Sequence, residues 1–220
     1  AESEKEFRRA IELSPDYANA HRWYHEYLIT LGRVDEATLE LKKAYELEPL
    51  SVIVNYNLAT HYCRDRLDPQ SAIEFAKRVV DLDPNFPGGP NLMVCVYLQQ
   101  GRNADAVAEA KKAVELTNGK IRRFVANLGV AYAKNGQTEN AKAIIKDLEE
   151  AYAKENSVGV QIAEVYAALG NKDKAFEWIE KDVDNRGFEL VLQFRRVAKF
   201  GSLMNDKRYA AILKRMGLPE

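Results

Sequence analysis

Apolar and small side chains recur along this chain in pairs of helical stripes. Between Ala18 and Leu31, residues Trp23, Tyr24, Tyr27, Leu28 and Leu31 fall at helical spacing and predict a first helix. Gly32 supplies the residue that tolerates a left-handed backbone and ends it. Ala37, Leu41, Ala44 and Leu47 then share one face of a second helix, predicted over Val34–Leu47. Pro49 stops that helix, because proline lacks the backbone N–H and restricts the residue before it. The unit predicted is a helix–turn–helix hairpin.

The hairpin then repeats. A turn position recurs at Gly32, Arg66, Gly101, Gly136 and Gly170, with gaps of 34, 35, 35 and 34 residues. A small residue follows at Ala37, Ala72, Ala106, Ala141 and Ala175, and a tyrosine precedes the turn at Tyr62, Tyr97, Tyr132 and Tyr166. Pro15, Pro49 and Pro84 close units. A fixed period of this length marks a solenoid, in which each unit buries its apolar face only against its neighbours. The turn Arg64–Pro69 holds one extra residue and no glycine. The third unit opens on Pro87-Gly88-Gly89-Pro90, with both prolines expected near the first helical turn, where a missing N–H costs little. The second helix of the fourth unit is expected to run long, through Tyr152.

These positions resemble the tetratricopeptide repeat (TPR) family. Asn57-Leu58-Ala59 and Asn127-Leu128-Gly129 match its Leu-small pair in helix A. Glu36-Ala37 and Lys174-Ala175 match the start of helix B, and Ala44–Pro49 and Val79–Pro84 match its end. The resemblance implies an all-α, right-handed α-solenoid. Residues 1–16 would be a leading half-repeat, 17–182 five units, and 183–220 closing helices. It also implies a concave groove lined by the A helices, and a protein or peptide partner. By register, Asn19, Arg22, Glu26, Tyr56, Thr60, Asn91, Leu98 and Lys134 point into that groove, as do Cys63 and Cys95. Glu26 stands where family members that clamp a peptide carboxylate carry Asn, so that clamp is not expected. The small residues let neighbouring helices approach, and a bulky replacement at Ala37 or Ala141 is expected to cost on the order of 1–3 kcal/mol.

The ends break the pattern. Glu4–Leu13 reads as a helix B without its helix A, exposing Phe7, Ile11 and Leu13. At the other end, Phe188–Phe194 and Lys207–Met216 are helical pieces outside the repeat, and Tyr209, Ile212, Leu213 and Met216 share one face. The closing Met216-Gly217-Leu218 resembles the end of TPR regions attached to bacterial regulators, with a departure at Arg195-Arg196-Val197. Two functions follow as expectations. One is a non-enzymatic scaffold for protein–protein interaction. The other is head-to-tail self-assembly into a filament, the C-terminal face of one copy covering Phe7, Ile11 and Leu13 of the next. The closing helix filling the groove of its own chain is a further possibility.

Composition narrows the rest. Lys+Arg is 32 against Asp+Glu 33, a formal net charge of −1. No basic excess points to nucleic acid. No apolar run reaches the length of a membrane-spanning helix, and the first ten residues lack the apolar core of a signal peptide. The compartment is open on these grounds: cytoplasmic by default, extracellular for a filament whose leader has been removed. Cys63 and Cys95 lie in no metal spacing and read as two reduced, partly buried thiols. His21 and His25 sit one helical turn apart, a spacing that can hold zinc, but no third ligand is evident, and packing is the plainer reading. His61 is isolated. No Ser/His/Asp set, phosphate loop or paired-carboxylate site is evident, so neither catalysis nor a cofactor or metal is expected.

Overall fold

The computed structural model describes residues 2–155, 158–185, 188–196 and 200–219. Val197, in the departure noted above, lies outside them. Among the described residues there are thirteen helices and no strand. They are α1 (Glu2–Leu13), α2 (Ala18–Thr30), α3 (Val34–Leu47), α4 (Val52–Arg64), α5 (Pro69–Leu82), α6 (Gly88–Gln99), α7 (Asn103–Leu116), α8 (Arg122–Lys134), α9 (Thr138–Glu155), α10 (Gly159–Ala168), α11 (Lys172–Asp184), α12 (Phe188–Gln193) and α13 (Lys207–Arg215). Consecutive helices pack as hairpins, α2 on α3, α4 on α5, α6 on α7, α8 on α9 and α10 on α11. Successive first helices also touch: α4 meets α6, α6 meets α8, and α8 meets α10.

Local chemistry sets the boundaries. Gly32, Gly101, Gly136 and Gly170 take φ of +76°, +70°, +74° and +79°, the left-handed residue that closes the first helix of a hairpin. In the second unit that role falls to Leu67 at φ +52°, not to Arg66, because the extra residue shifts the turn by one. Asp68 accepts from the N–H groups of Gln70 and Ser71 and caps α5, with Pro69 next in line. Ser51 caps α4 in the same way. Helix α6 begins at Gly88, so Pro90 lies in its first turn, and α9 is the longest at 18 residues.

Packing explains the small-residue positions. Ala37, Ala72, Ala106, Ala141 and Ala175 are fully buried. Gly129 lies where α8, α9 and α10 meet. A Cβ there would come within 2.8 Å of Ile144 Cγ2 and 2.9 Å of Val165 Cγ2. Gly129→Val is therefore expected to overpack the joint and destabilise by about 1–3 kcal/mol, read from denaturant midpoints. An unchanged midpoint would mean that the joint is loosely packed in solution.

Helix α1 lies on α2. Phe7 and Ile11 are half-buried against Tyr24 and Tyr27, while Leu13 is 74% exposed. Glu4 ties the contact down by accepting from Arg33 (2.8 Å), Arg8 (2.9 Å) and Tyr24 (3.0 Å). The hydrogen bond from Arg33, followed by those from Arg8 and Tyr24, holds the Glu4 carboxyl down at about 2.

Candidate functional site

The first helices of the five units, α2, α4, α6, α8 and α10, carry the groove positions read from the sequence. The chain itself occupies the α2 end of that groove. Helix α12 contacts α2 as well as α10 and α11. Just after it, Arg196 reaches across the solenoid. Its Nη2 donates to Glu26 Oε2 at 2.8 Å and its Nη1 to Asp65 Oδ2 at 2.6 Å, across 170 and 131 residues of sequence. Arg196 is 2% exposed. Burial opposes the charge on Arg196, but Asp65 and Glu26 outweigh it and hold the pKa above its ordinary value. Burial likewise opposes ionised Asp65, and Arg196 with His61 outweighs it and keeps that carboxyl low.

The closing segment is anchored by apolar packing too. Leu190, Phe194, Phe200, Leu203, Tyr209, Ile212 and Leu213 join one buried cluster with the fourth and fifth units. Tyr209 stacks on Phe194 at 4.4 Å and donates its hydroxyl to Phe194 O at 3.0 Å. This corrects an expectation from the sequence. Tyr209, Ile212 and Leu213 are buried in their own chain, and Met216 packs on the same cluster. The C-terminal face that was to cover a neighbour's Phe7, Ile11 and Leu13 is already spent, and Phe7 and Ile11 are half-covered by α2.

The other predicted groove residues divide. Glu26 holds Arg196. Arg22 donates to Asn19 Oδ1 at 3.0 Å and lies over the Trp23 ring. Tyr56 meets Phe86 edge-on at 5.4 Å. Asn91 is buried and accepts from Asn127 at 2.6 Å, so it is a packing residue. Thr60 is also buried. Leu98 and Lys134 line a cavity of about 250 Å³ between the first helices. Each first helix from α4 to α10 contributes to it: Arg64, Val94 and Leu98, Asn127 and Val130, and Ala167, with Gly201 and Ser202 of the closing segment at its edge. Arg64 is 6% exposed and shares the cavity wall with Glu164, which is also buried. Burial depresses the Arg64 pKa, reinforced by Arg196 and Arg123 and opposed by Tyr56 and Glu164.

Cys95 lies on the same wall and is joined to Cys63 in a disulfide between α4 and α6, which corrects the reading of two reduced thiols. Their separation of 32 residues is close to one repeat, which brings equivalent faces of adjacent first helices together. That near-period separation was the signal in the sequence.

The histidines also regroup. His21 is engaged with Glu40 at 2.7 Å and Pro15 O at 2.9 Å. His25, one turn away, instead meets His61 ring to ring at 4.9 Å, with Asp65 beside them. The isolated His61 and the odd turn at Asp65 thus supply partners that helical spacing on α2 did not reveal. Burial holds the His25 pKa down at about 4.

An all-helical solenoid of stacked hairpins, its groove crossed by its own C-terminal segment, defines the class. Residues 91–156 match the family model of the tetratricopeptide repeat. That stretch of the chain is similar to the tetratricopeptide repeat. The fold of the chain is similar to that of TTC0263, a thermophilic TPR protein of Thermus thermophilus, with a TM-score of 0.63 at 22% identity over 90% of this chain and 99% of that one. A TPR protein from Parabacteroides merdae gives 0.59 at 15% identity, over 99% and 86%. Yeast Tom70 gives 0.55 at 17%, over 97% of this chain and 46% of that one. No curated protein matches the sequence. Among the described residues, no helix is long and apolar enough to cross a membrane.

Proposed function

We propose that this chain is a non-enzymatic scaffold that holds a protein partner on the part of its concave face left open by the closing segment. The observation that supports this reading is the cavity shared by α4, α6, α8 and α10. Its walls are apolar at Leu67, Val94, Leu98 and Val130, and the buried Arg64 and Glu164 bring opposite charges to it. Burial still depresses the Arg64 pKa, and an acid group brought by a ligand adds to the stabilisation of its charge. The partner segment that fits is short and carries an apolar side chain beside a carboxylate. Few apolar anchors of this kind carry most of the affinity of a peptide in a groove.

The test is a partner captured from the source cell and confirmed with purified components. Leu98→Glu and Val130→Glu place charge on the apolar wall and are expected to weaken binding about tenfold or more each. Arg64→Gln is expected to weaken it while removing selectivity for the acidic segment. If a double Leu98→Glu, Val130→Glu chain that keeps its helical spectrum binds the partner as before, the interaction runs over another surface.

A further inference from the structure

Beneath the Arg196 clasp, α2 and the α4 turn bring two imidazoles and two carboxylates to one buried point. The hydrogen positions on both rings follow from their neighbours. His25 Nδ1 lies 3.0 Å from Ala37 O. A carbonyl only accepts, so Nδ1 carries the hydrogen. In the neutral ring Nε2 then carries the lone pair. Thr38 Oγ1 donates to Val34 O at 2.8 Å, which spends its one hydrogen. Toward His61 Nε2, at 2.9 Å, it therefore accepts, and that nitrogen carries the hydrogen. His61 Nδ1 is left facing Asp65 Oδ2 at 3.3 Å. Two acceptors so placed call for a proton or a cation at that point.

Three further facts choose between them. One ligand atom from each of His25, His61 and Asp65 lies within 4.8 Å of the other two. Asp65 Oδ1 is buried and makes no hydrogen bond among the described residues, since Arg196 uses Oδ2. Glu26 is divided in the same way: Arg196 holds Oε2, and Oε1 stands 3.9 Å from His25 Nε2. Each ring has its outer nitrogen fixed on an oxygen acceptor and its inner nitrogen turned to the shared point. Partners of this kind hold metal-ligating histidines in place. A cavity lined by Asp65, Gly32 and Val34 gives an approach to that point.

We propose that His25, His61 and Asp65, with Glu26 as fourth ligand, form a binding site for a divalent transition ion of the zinc type. Two imidazoles with carboxylate oxygens suit Zn²⁺ and its tetrahedral relatives such as Co²⁺. The ion would join the first two units directly under the segment that Arg196 secures. The rival occupant is a second proton on His61, paired with Asp65.

The full chain, disulfide intact and stripped with chelator, is titrated with Zn²⁺ while long-range proton–nitrogen spectra follow its three histidines. The site predicts saturation at one equivalent, with His25 Nε2 and His61 Nδ1 shifting and His21 unmoved. Co²⁺ should give the visible absorption of a tetrahedral site, and His61→Gln should weaken binding by about 100-fold or more. Spectra showing His61 doubly protonated and unmoved by Zn²⁺ would overturn the proposal. So would shifts confined to His21, or an unchanged affinity in His61→Gln. The wild-type spectra decide even if the variant does not fold.

Discussion

Replacing Arg196 with alanine is expected to lower the unfolding free energy by about 3–5 kcal/mol, because it leaves the buried Asp65 and the half-buried Glu26 without their cation. Asp65 is the more exposed to this loss, with only 3% of its side chain in contact with water. In a chain of this size each kcal/mol corresponds to roughly 2–4 °C, so the melting temperature should fall by roughly 6–20 °C. The change should not be confined to the C-terminus. Hydrogen exchange should quicken in α2 and around the α4 turn, since Arg196 ties these to α12. Arg8→Ala is the control: Arg8 also pairs with a carboxylate, Glu4, but at the surface, where such a pair contributes about 0–1 kcal/mol. Denaturant titration of the two variants side by side checks the contrast. Equal, small losses would mean that the Arg196 contact is not formed in solution.

The second large effect belongs to the Cys63–Cys95 disulfide. It closes a loop of 32 residues in sequence separation. In the chain-entropy account such a link removes freedom from the unfolded state worth about 3–4 kcal/mol. Reduction, or the paired change Cys63→Ala and Cys95→Ala, is expected to lower stability by that amount without changing the helical content. The denaturant slope should rise modestly as well, because the unlinked chain unfolds to a more expanded state. Gln99 reinforces the same joint by donating to Cys63 O. Unfolding curves with and without reductant measure the difference. Identical midpoints would show either that the bond is absent or that the unfolded chain is already constrained there.

The two effects sit where the sequence was least informative. The repeat was legible because it is written five times in local spacing: a glycine for a left-handed turn, an alanine for a close helix contact, a proline after the second helix. Even the exception, Leu67 in place of Arg66, came from one inserted residue already visible in the turn. Contacts that close the molecule have no period. Arg195-Arg196 stood out only as a departure from a pattern, and nothing local pointed it at Glu26 and Asp65. His61 looked solitary because Thr38 and His25 come from two other helices, although Asp65, one turn further on, was a local partner. The amphipathic stripe Tyr209, Ile212, Leu213 and Met216 was real, but a stripe does not state whose surface it covers. Here it is the chain's own. The groove list suffered from the same limit. Helical register placed Asn91 toward the concave side, and only the partner position of Asn127 shows that it is buried there.

The C-terminal segment closes over the first two units through Arg196. A double-mutant cycle tests it most directly. Arg196→Met, Asp65→Asn and the double variant are unfolded in denaturant under the same conditions. If the ion pair is formed, the single changes each leave a buried group without its partner and the double removes both, so the losses should fall short of additive by about 1–3 kcal/mol. Additivity to within about 0.5 kcal/mol, the behaviour of residues that do not touch, would contradict the clasp.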